Sequence, residues 1–140
     1  MKTPFLALLA LGCASAHPTE PLYQPPSVIE MPAFGSNAQV LEVPATVRAG
    51  IPFAITYATF GSSSCSRHRT PETSAGADFL LILPRLAPIP PGTPCTEDLA
   101  TVRHTISMTW PTPIAELRII VRGVRFDGTG VDVVRRIRVE

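Results

Sequence analysis

The sequence predicts an all-β domain, and three observations lead there. Beyond residue 16, no ten-residue segment carries the 3.6-residue apolar period of a helix. Apolar and polar residues alternate with period two instead, most cleanly over residues 101–110. Glycines and prolines punctuate these runs. About seven short antiparallel strands with turn signals between them suit a β-sandwich or barrel. Two layers are needed, because a single sheet leaves one apolar face bare.

The chain opens with Met1-Lys2, a short apolar run (TPFLALLALG) and small residues up to Ala16. A charged start, an apolar stretch and a small-residue end make a signal peptide, expected over residues 1–16. The run has about ten residues, too few to span a bilayer as a helix. Two processing routes are open. Cleavage after Ala16 follows the Ala14-Ser15-Ala16 pattern and leaves His17 first. The stretch Leu9-Ala10-Leu11-Gly12-Cys13 resembles instead a bacterial lipobox, which implies a cut before Cys13 and lipidation of that cysteine.

Residues 17–37 read as a tether. Five prolines between residues 17 and 35 forbid a helix and favour extended chain. Val28 to Met31 can still add an edge strand. The domain is expected over residues 38–140.

Within it, residues 38–43 are the first strand candidate. Gly50 and Pro52 mark a turn, after which Phe53, Ile55 and Tyr57 alternate with Ala54, Thr56 and Ala58. Residues 61–76 (GSSSCSRHRTPETSAG) read as a polar loop. Residues 77–83 (ADFLLIL) are a near-continuous apolar run of strand length. Five prolines make residues 84–98 an irregular loop.

In residues 101–110, Val102, His104, Ile106, Met108 and Trp110 face one way; Thr101, Arg103, Thr105, Ser107 and Thr109 face the other. Pro111 and Pro113 end that strand. Over residues 114–126, Leu117, Ile119 and Val121 face in, while Arg118 and Arg122 face out. Asp127-Gly128-Thr129-Gly130 signals a hairpin, with positive φ angles at Asp-Gly. Residues 131–139 close the fold, with Val131, Val133, Ile137 and Val139 inward and Asp132, Arg136 and Arg138 outward. Arg135 breaks the inward set, as expected near a sheet edge.

The run Val47-x-x-Gly50-x-Pro52-Phe53-x-Ile55 resembles the start of bacterial immunoglobulin-like domains, where the glycine takes a turn and the two apolar residues enter the core. Residues 40–140 resemble small exported bacterial Ig-like proteins of unknown function. Those carry one cysteine soon after the second strand and another in a segment like Cys95-Thr96-Glu97-Asp98-Leu99. The resemblance implies an immunoglobulin-like β-sandwich and says nothing of function. The chain departs from antibody-type domains, because its cysteines sit in loops and no Trp lies between them in core register.

An export signal implies an oxidising compartment, where paired cysteines persist. Cys65 and Cys95 flank one apolar strand in two polar loops and are expected to form a disulfide; the alternative is two free thiols. Pairing leaves Cys13 over, and lipidation accounts for the odd cysteine.

The twelve Lys and Arg residues include Lys2 of the signal, which leaves eleven cations against eleven carboxylates. That balance argues against nucleic-acid binding, which needs an excess of phosphate-neutralising charge.

Chemistry-bearing groups are sparse. If cleavage follows Ala16, an N-terminal His17 has an amine and a ring nitrogen for copper. His104 and Met108 share a strand face, but four residues of strand separate them by about 13 Å, too far to share one ion. No Cys-x-x-Cys or paired His stands at zinc spacing, so no metal site and no cofactor are expected. Ser62 to Ser66 with His68 lack the strand-turn-helix context of a nucleophile elbow, and an oxidised Cys65 is no nucleophile. Arg67, His68 and Arg69 form a small basic patch, a candidate ligand loop for an acidic ligand or a lipid headgroup; the alternative is a solvated loop. Glu97 and Asp98 are placed to pair with it across the disulfide. Arg122, Arg125, Arg135, Arg136 and Arg138 are expected to pair across strands with Glu116, Asp127, Asp132 and Glu140.

These readings lead to a non-enzymatic, envelope-associated binding or accessory module. It is held to the membrane by a lipid on Cys13 and meets an envelope protein or cell-wall component through loops 61–76 and 84–98. The alternatives are a periplasmic copper-binding protein using His17, a secreted or periplasmic form cut after Ala16, and a purely structural envelope protein.

Overall fold

A computed structural model describes residues 26–30 and 40–140. The signal segment, Cys13, His17 and the rest of the expected tether lie outside the described residues.

Nine strands form the described chain, and no helix occurs among the described residues. They are β1 (Val28–Glu30), β2 (Leu41–Glu42), β3 (Thr46–Val47), β4 (Phe53–Gly61), β5 (Glu72–Ala75), β6 (Phe79–Leu83), β7 (Ala100–Met108), β8 (Ile114–Arg125) and β9 (Gly130–Val139). All belong to one curled, mixed sheet resembling half a barrel.

Two long antiparallel pairs form its walls. β4 lies against β7 from Phe53↔Met108 to Gly61↔Ala100. β8 lies against β9 from Ile114↔Val139 to Val124↔Gly130. β1 bridges the walls, pairing with β4 at Val28↔Phe60 and with β8 at Val28↔Val124. The β5–β6 hairpin extends the second wall through Leu80↔Ile119.

Period-two patterning decides which side chains go inward. Ile55 on β4, Leu80 and Ile82 on β6, and Leu117, Ile119 and Val121 on β8 are completely or almost completely buried. Ile29 from β1 and Leu41 from β2 close the gap between the walls, and Trp110 packs onto the same core. Each such side chain contributes about 1.5–3 kcal/mol relative to remaining in water.

Several expectations are corrected. The sheet is mixed, because β1–β8, β3–β9 and β6–β8 are parallel pairs. The described residues form nine strands rather than about seven. β1, expected at most as an edge strand, has neighbours on both sides, so residues 26–30 belong to the folded body. β5 lies inside the stretch read as a loop over residues 61–76; all four of its residues are exposed, so it carries no apolar alternation to read. The last hairpin turns with positive φ at Gly128 alone. This is a glycine-bulge turn, in which one left-handed residue suffices. The Asp127 carboxylate braces it by accepting the Thr129 N–H at 2.9 Å.

The inward and outward assignments on β8 and β9 hold. Ile137 and Val139 are buried, while Arg136 and Arg138 are exposed. Arg122 pairs with Asp132 at 2.8 Å through two nitrogens, and Arg136 pairs with Glu116 at 3.0 Å. Arg118 pairs with Asp78 at 2.8 Å.

Candidate functional site

The β4–β7 pair ends at Gly61↔Ala100. The loop after β4 and the loop before β7 therefore leave the sheet side by side. Cys65 lies four residues past one end and Cys95 five residues before the other, so register alone brings them near each other. They form a disulfide, with sulfurs 2.01 Å apart and Cα atoms 5.4 Å apart. Cys65 is buried and Cys95 exposed.

Hydrogen bonds join the loops on both sides of this link. The Thr96 N–H donates to Ser64 Oγ at 2.9 Å, and the Ser63 N–H donates to Asp98 at 3.2 Å. Thr96 also donates to Asp98. Bonds from Ser63 and then Thr96 hold the Asp98 carboxyl below the usual carboxylate range. Farther along, the Ala87 N–H donates to the Arg67 carbonyl at 2.7 Å, and the Arg69 N–H donates to the Arg85 carbonyl at 3.2 Å. Asp98 thus braces the loop backbone rather than pairing with the basic patch.

Between the joined loops lies a cleft of about 300 Å³. Cys65, Arg67, Ala87, Pro88, Ile89 and Pro90 line it. Ile89 is 45 % exposed and Leu99 49 %, so the loop end presents apolar side chains to solvent. Pro88 and Pro90 have fixed φ, which restricts the wall they form.

The structure divides the Arg67-His68-Arg69 triplet. Arg67 and Arg69 are exposed, whereas His68 turns toward the sheet. Its Nε2 lies 2.9 Å from Thr59 Oγ1 on β4, and the same hydroxyl lies 2.8 Å from Nε2 of His104 on β7. The two imidazoles meet edge-on with centroids 4.3 Å apart, and Tyr57 stacks on His104 at 5.0 Å. Thr59 is completely buried. Burial keeps His68 below the ordinary imidazole range. Burial, with the neighbouring His68 second, brings His104 down to about 4. Burial also pushes the Tyr57 hydroxyl up to about 12. All three groups are therefore neutral at pH 7.

Proton accounting orients this chain. The threonine hydroxyl has one proton and faces two ring nitrogens, so one ring must donate to it. His68 Nδ1 is buried without a partner. A bare N–H there would be an orphaned donor, the rarer case in folded proteins. The proton on His68 is accordingly assigned to Nε2, which donates to Thr59; Thr59 donates to His104 Nε2, and His104 carries its own proton on Nδ1.

The same accounting weighs against a metal between these rings. An ion on both Nε2 atoms would move the His68 proton to Nδ1, where it has no acceptor, whereas ligating histidines normally donate their other N–H. Among the described residues no group of three or more His, Cys, Asp or Glu is placed to hold a metal ion. The completely buried Thr59 hydroxyl is also closed to an attacking substrate. His104 and Met108 both lie on the half-buried face of β7, with Met108 against the core.

Another concavity, a groove of about 700 Å³, crosses the outer face beside β6, β8 and β9, lined by Leu81, Leu83, Arg122, Val124 and Asp132. Its Arg122 is already committed to Asp132.

The sequence placed His104 inward but left His68 in a solvated loop. The available signal was a polar Thr59 continuing the inward register of Phe53, Ile55 and Tyr57. The chain matches no protein-family model, no curated protein and no solved structure.

Proposed function

We propose that the chain is a non-enzymatic binding or accessory module of the cell envelope that meets its partner through the disulfide-joined loops. The observation that carries this reading is the apolar cleft of about 300 Å³ between residues 65–67 and 87–90, with Ile89 exposed at its wall. Apolar groups held out of the core by a cross-linked loop point to an interaction surface. The cation count balanced by carboxylates points to a protein or cell-wall component rather than a nucleic acid.

In the same proposal the chain is exported, its first sixteen residues act as signal, and Cys13 carries a lipid anchor. The domain is a variant of the immunoglobulin-like sandwich. The β3–β9 contact and the β8–β9 hairpin favour that relation, while the parallel β6–β8 pair sets the variant apart.

The test is capture from envelope extract on immobilised protein, compared with Ile89→Asp. This residue is 45 % exposed, so the substitution leaves folding intact. A partner held by the parent protein and lost about tenfold or more with Ile89→Asp, a penalty of about 1.4 kcal/mol, supports the reading. Equal capture by both proteins overturns it by placing the binding surface elsewhere, and no partner above background overturns it in favour of a purely structural role.

A further inference from the structure

The chain His68–Thr59–His104 ties a loop to the β4–β7 pair, whereas the loop's other ties run to the neighbouring 85–98 segment. Residues 62–71 contain no strand; the disulfide at Cys65, bonds to Thr96 and Asp98, and backbone contacts to residues 85–87 hold them to the neighbouring loop, and His68 holds them to the sheet. His104 lies within nine consecutive residue pairings between β4 and β7. If the chain breaks, the side that yields is therefore the loop.

We propose that His68–Thr59–His104 is an acid-released latch, holding the 62–71 loop on the sheet while both imidazoles are neutral and letting it go when the imidazole pair takes up a proton. The reason is the supply of protons. A protonated His104 becomes a donor at Nε2. Thr59 then faces two donors, and its own O–H is left without an acceptor in a completely buried position. An unsatisfied buried donor is costly. Protonating His68 instead places an N–H on Nδ1, which has no partner in the folded loop; turning His68 out to solvent satisfies that group, lets water accept the Thr59 O–H, and separates two rings whose centroids lie 4.3 Å apart.

The surrounding charges do not offset this. On β4, Tyr57 stacks on His104 and is neutral, its hydroxyl pushed up to about 12. On β7, Arg103 beside His104 pairs with Glu42 of β2 at 2.7 Å. In the loop, Arg67 and Arg69 flank His68 and add positive charge. From the 84–88 segment, Arg85 lies 3.5 Å from Glu72 of β5. Asp98, on the opposite loop, is held by Ser63 and Thr96. Among the described residues no carboxylate hydrogen-bonds or ion-pairs with either ring.

Release would open the cleft, because Arg67 both lines it and holds Ala87. That consequence rests on the binding reading, but the latch itself is tested without a ligand. The measurement is a pH titration of the oxidised protein by NMR, following the histidine ring nitrogens and the backbone amides together. At pH 7, His68 should show its proton on Nε2 and His104 on Nδ1. Both rings should titrate below the ordinary imidazole range, His104 near pH 4, and the amides of residues 62–71 should move with the imidazole titration while β8 and β9 stay fixed. Thr59→Val keeps the side-chain shape and removes the hydroxyl; in it the loop amides should already be displaced at pH 7 and lose their acid transition. His104→Phe, which keeps an aromatic ring beside Tyr57, should do the same. A His104 midpoint near 6.5, or loop amides that follow neither imidazole, would overturn the latch. So would a Thr59→Val protein with an unchanged loop transition.

Discussion

The Ser27 carbonyl occupies the space that a side chain on Gly123 would need. A Cβ at residue 123 would lie 2.5 Å from that oxygen and 2.9 Å from the Ile29 side chain. The carbonyl cannot easily retreat, because it accepts the Val124 N–H at 3.1 Å. Close approach at Gly123 lets β1 lie between β4 and β8. Gly123→Ala is expected to cost about 1–3 kcal/mol through overpacking, read as a lower urea midpoint. Gly130→Ala is the control: nothing lies within 4 Å of its Cβ position and its φ is ordinary.

β8 offers an internal comparison of its two faces. Ile119 is completely buried, and Ile120, its neighbour, lies half-buried on the opposite face. Ile119→Ala should cost about 2–5 kcal/mol. Ile120→Ala should cost less than half as much. Equal losses in denaturant unfolding would mean that the outer face is covered as fully as the core.

The disulfide closes a sequence separation of 30 residues. Replacing both cysteines by serine should lower stability by about 3–4 kcal/mol on the chain-entropy view. Calorimetry of the double variant against the oxidised parent measures this directly.

Acid should weaken the fold through the two histidines. Both have folded pKa values below the free imidazole value of 6.5, so the unfolded chain binds protons first as pH falls. The stability they contribute is present above about pH 6.5, declines as pH drops toward about 4, where His104 protonates in the folded state, and levels off below. With allowance for the partial exposure of these rings, the loss is of order 1–2 kcal/mol. Unfolding free energies at pH 7, 5.5 and 4 should show this slope, and His104→Phe should flatten it.

The strands legible in the sequence are those with one wet and one dry face. The inward sets Phe53-Ile55-Tyr57, Leu117-Ile119-Val121 and Ile137-Val139 could be read because period two is visible only when the faces differ. β5 escaped because Glu72–Ala75 is exposed throughout. β1 has three residues and takes its place from the Gly123 gap, a long-range fit that no local pattern records. The parallel pairings β1–β8, β3–β9 and β6–β8 join strands distant in sequence, which periodicity does not encode.

The candidate site was partly legible for the same reason. Cysteine count and compartment indicated the Cys65–Cys95 link. The inward turn of His68 depends on a threonine nine residues earlier and a histidine thirty-six residues later, brought together only by the β4–β7 register.

The binding surface, its cleft and the latch all require loops 61–76 and 84–98 to be joined. The direct test is intact mass spectrometry of the native protein after alkylation, with and without reductant. Without reductant, neither Cys65 nor Cys95 should take up label; after reduction both should, following a gain of about two mass units. Label on both cysteines in the unreduced, folded protein would contradict the joined loops and every functional reading built on them.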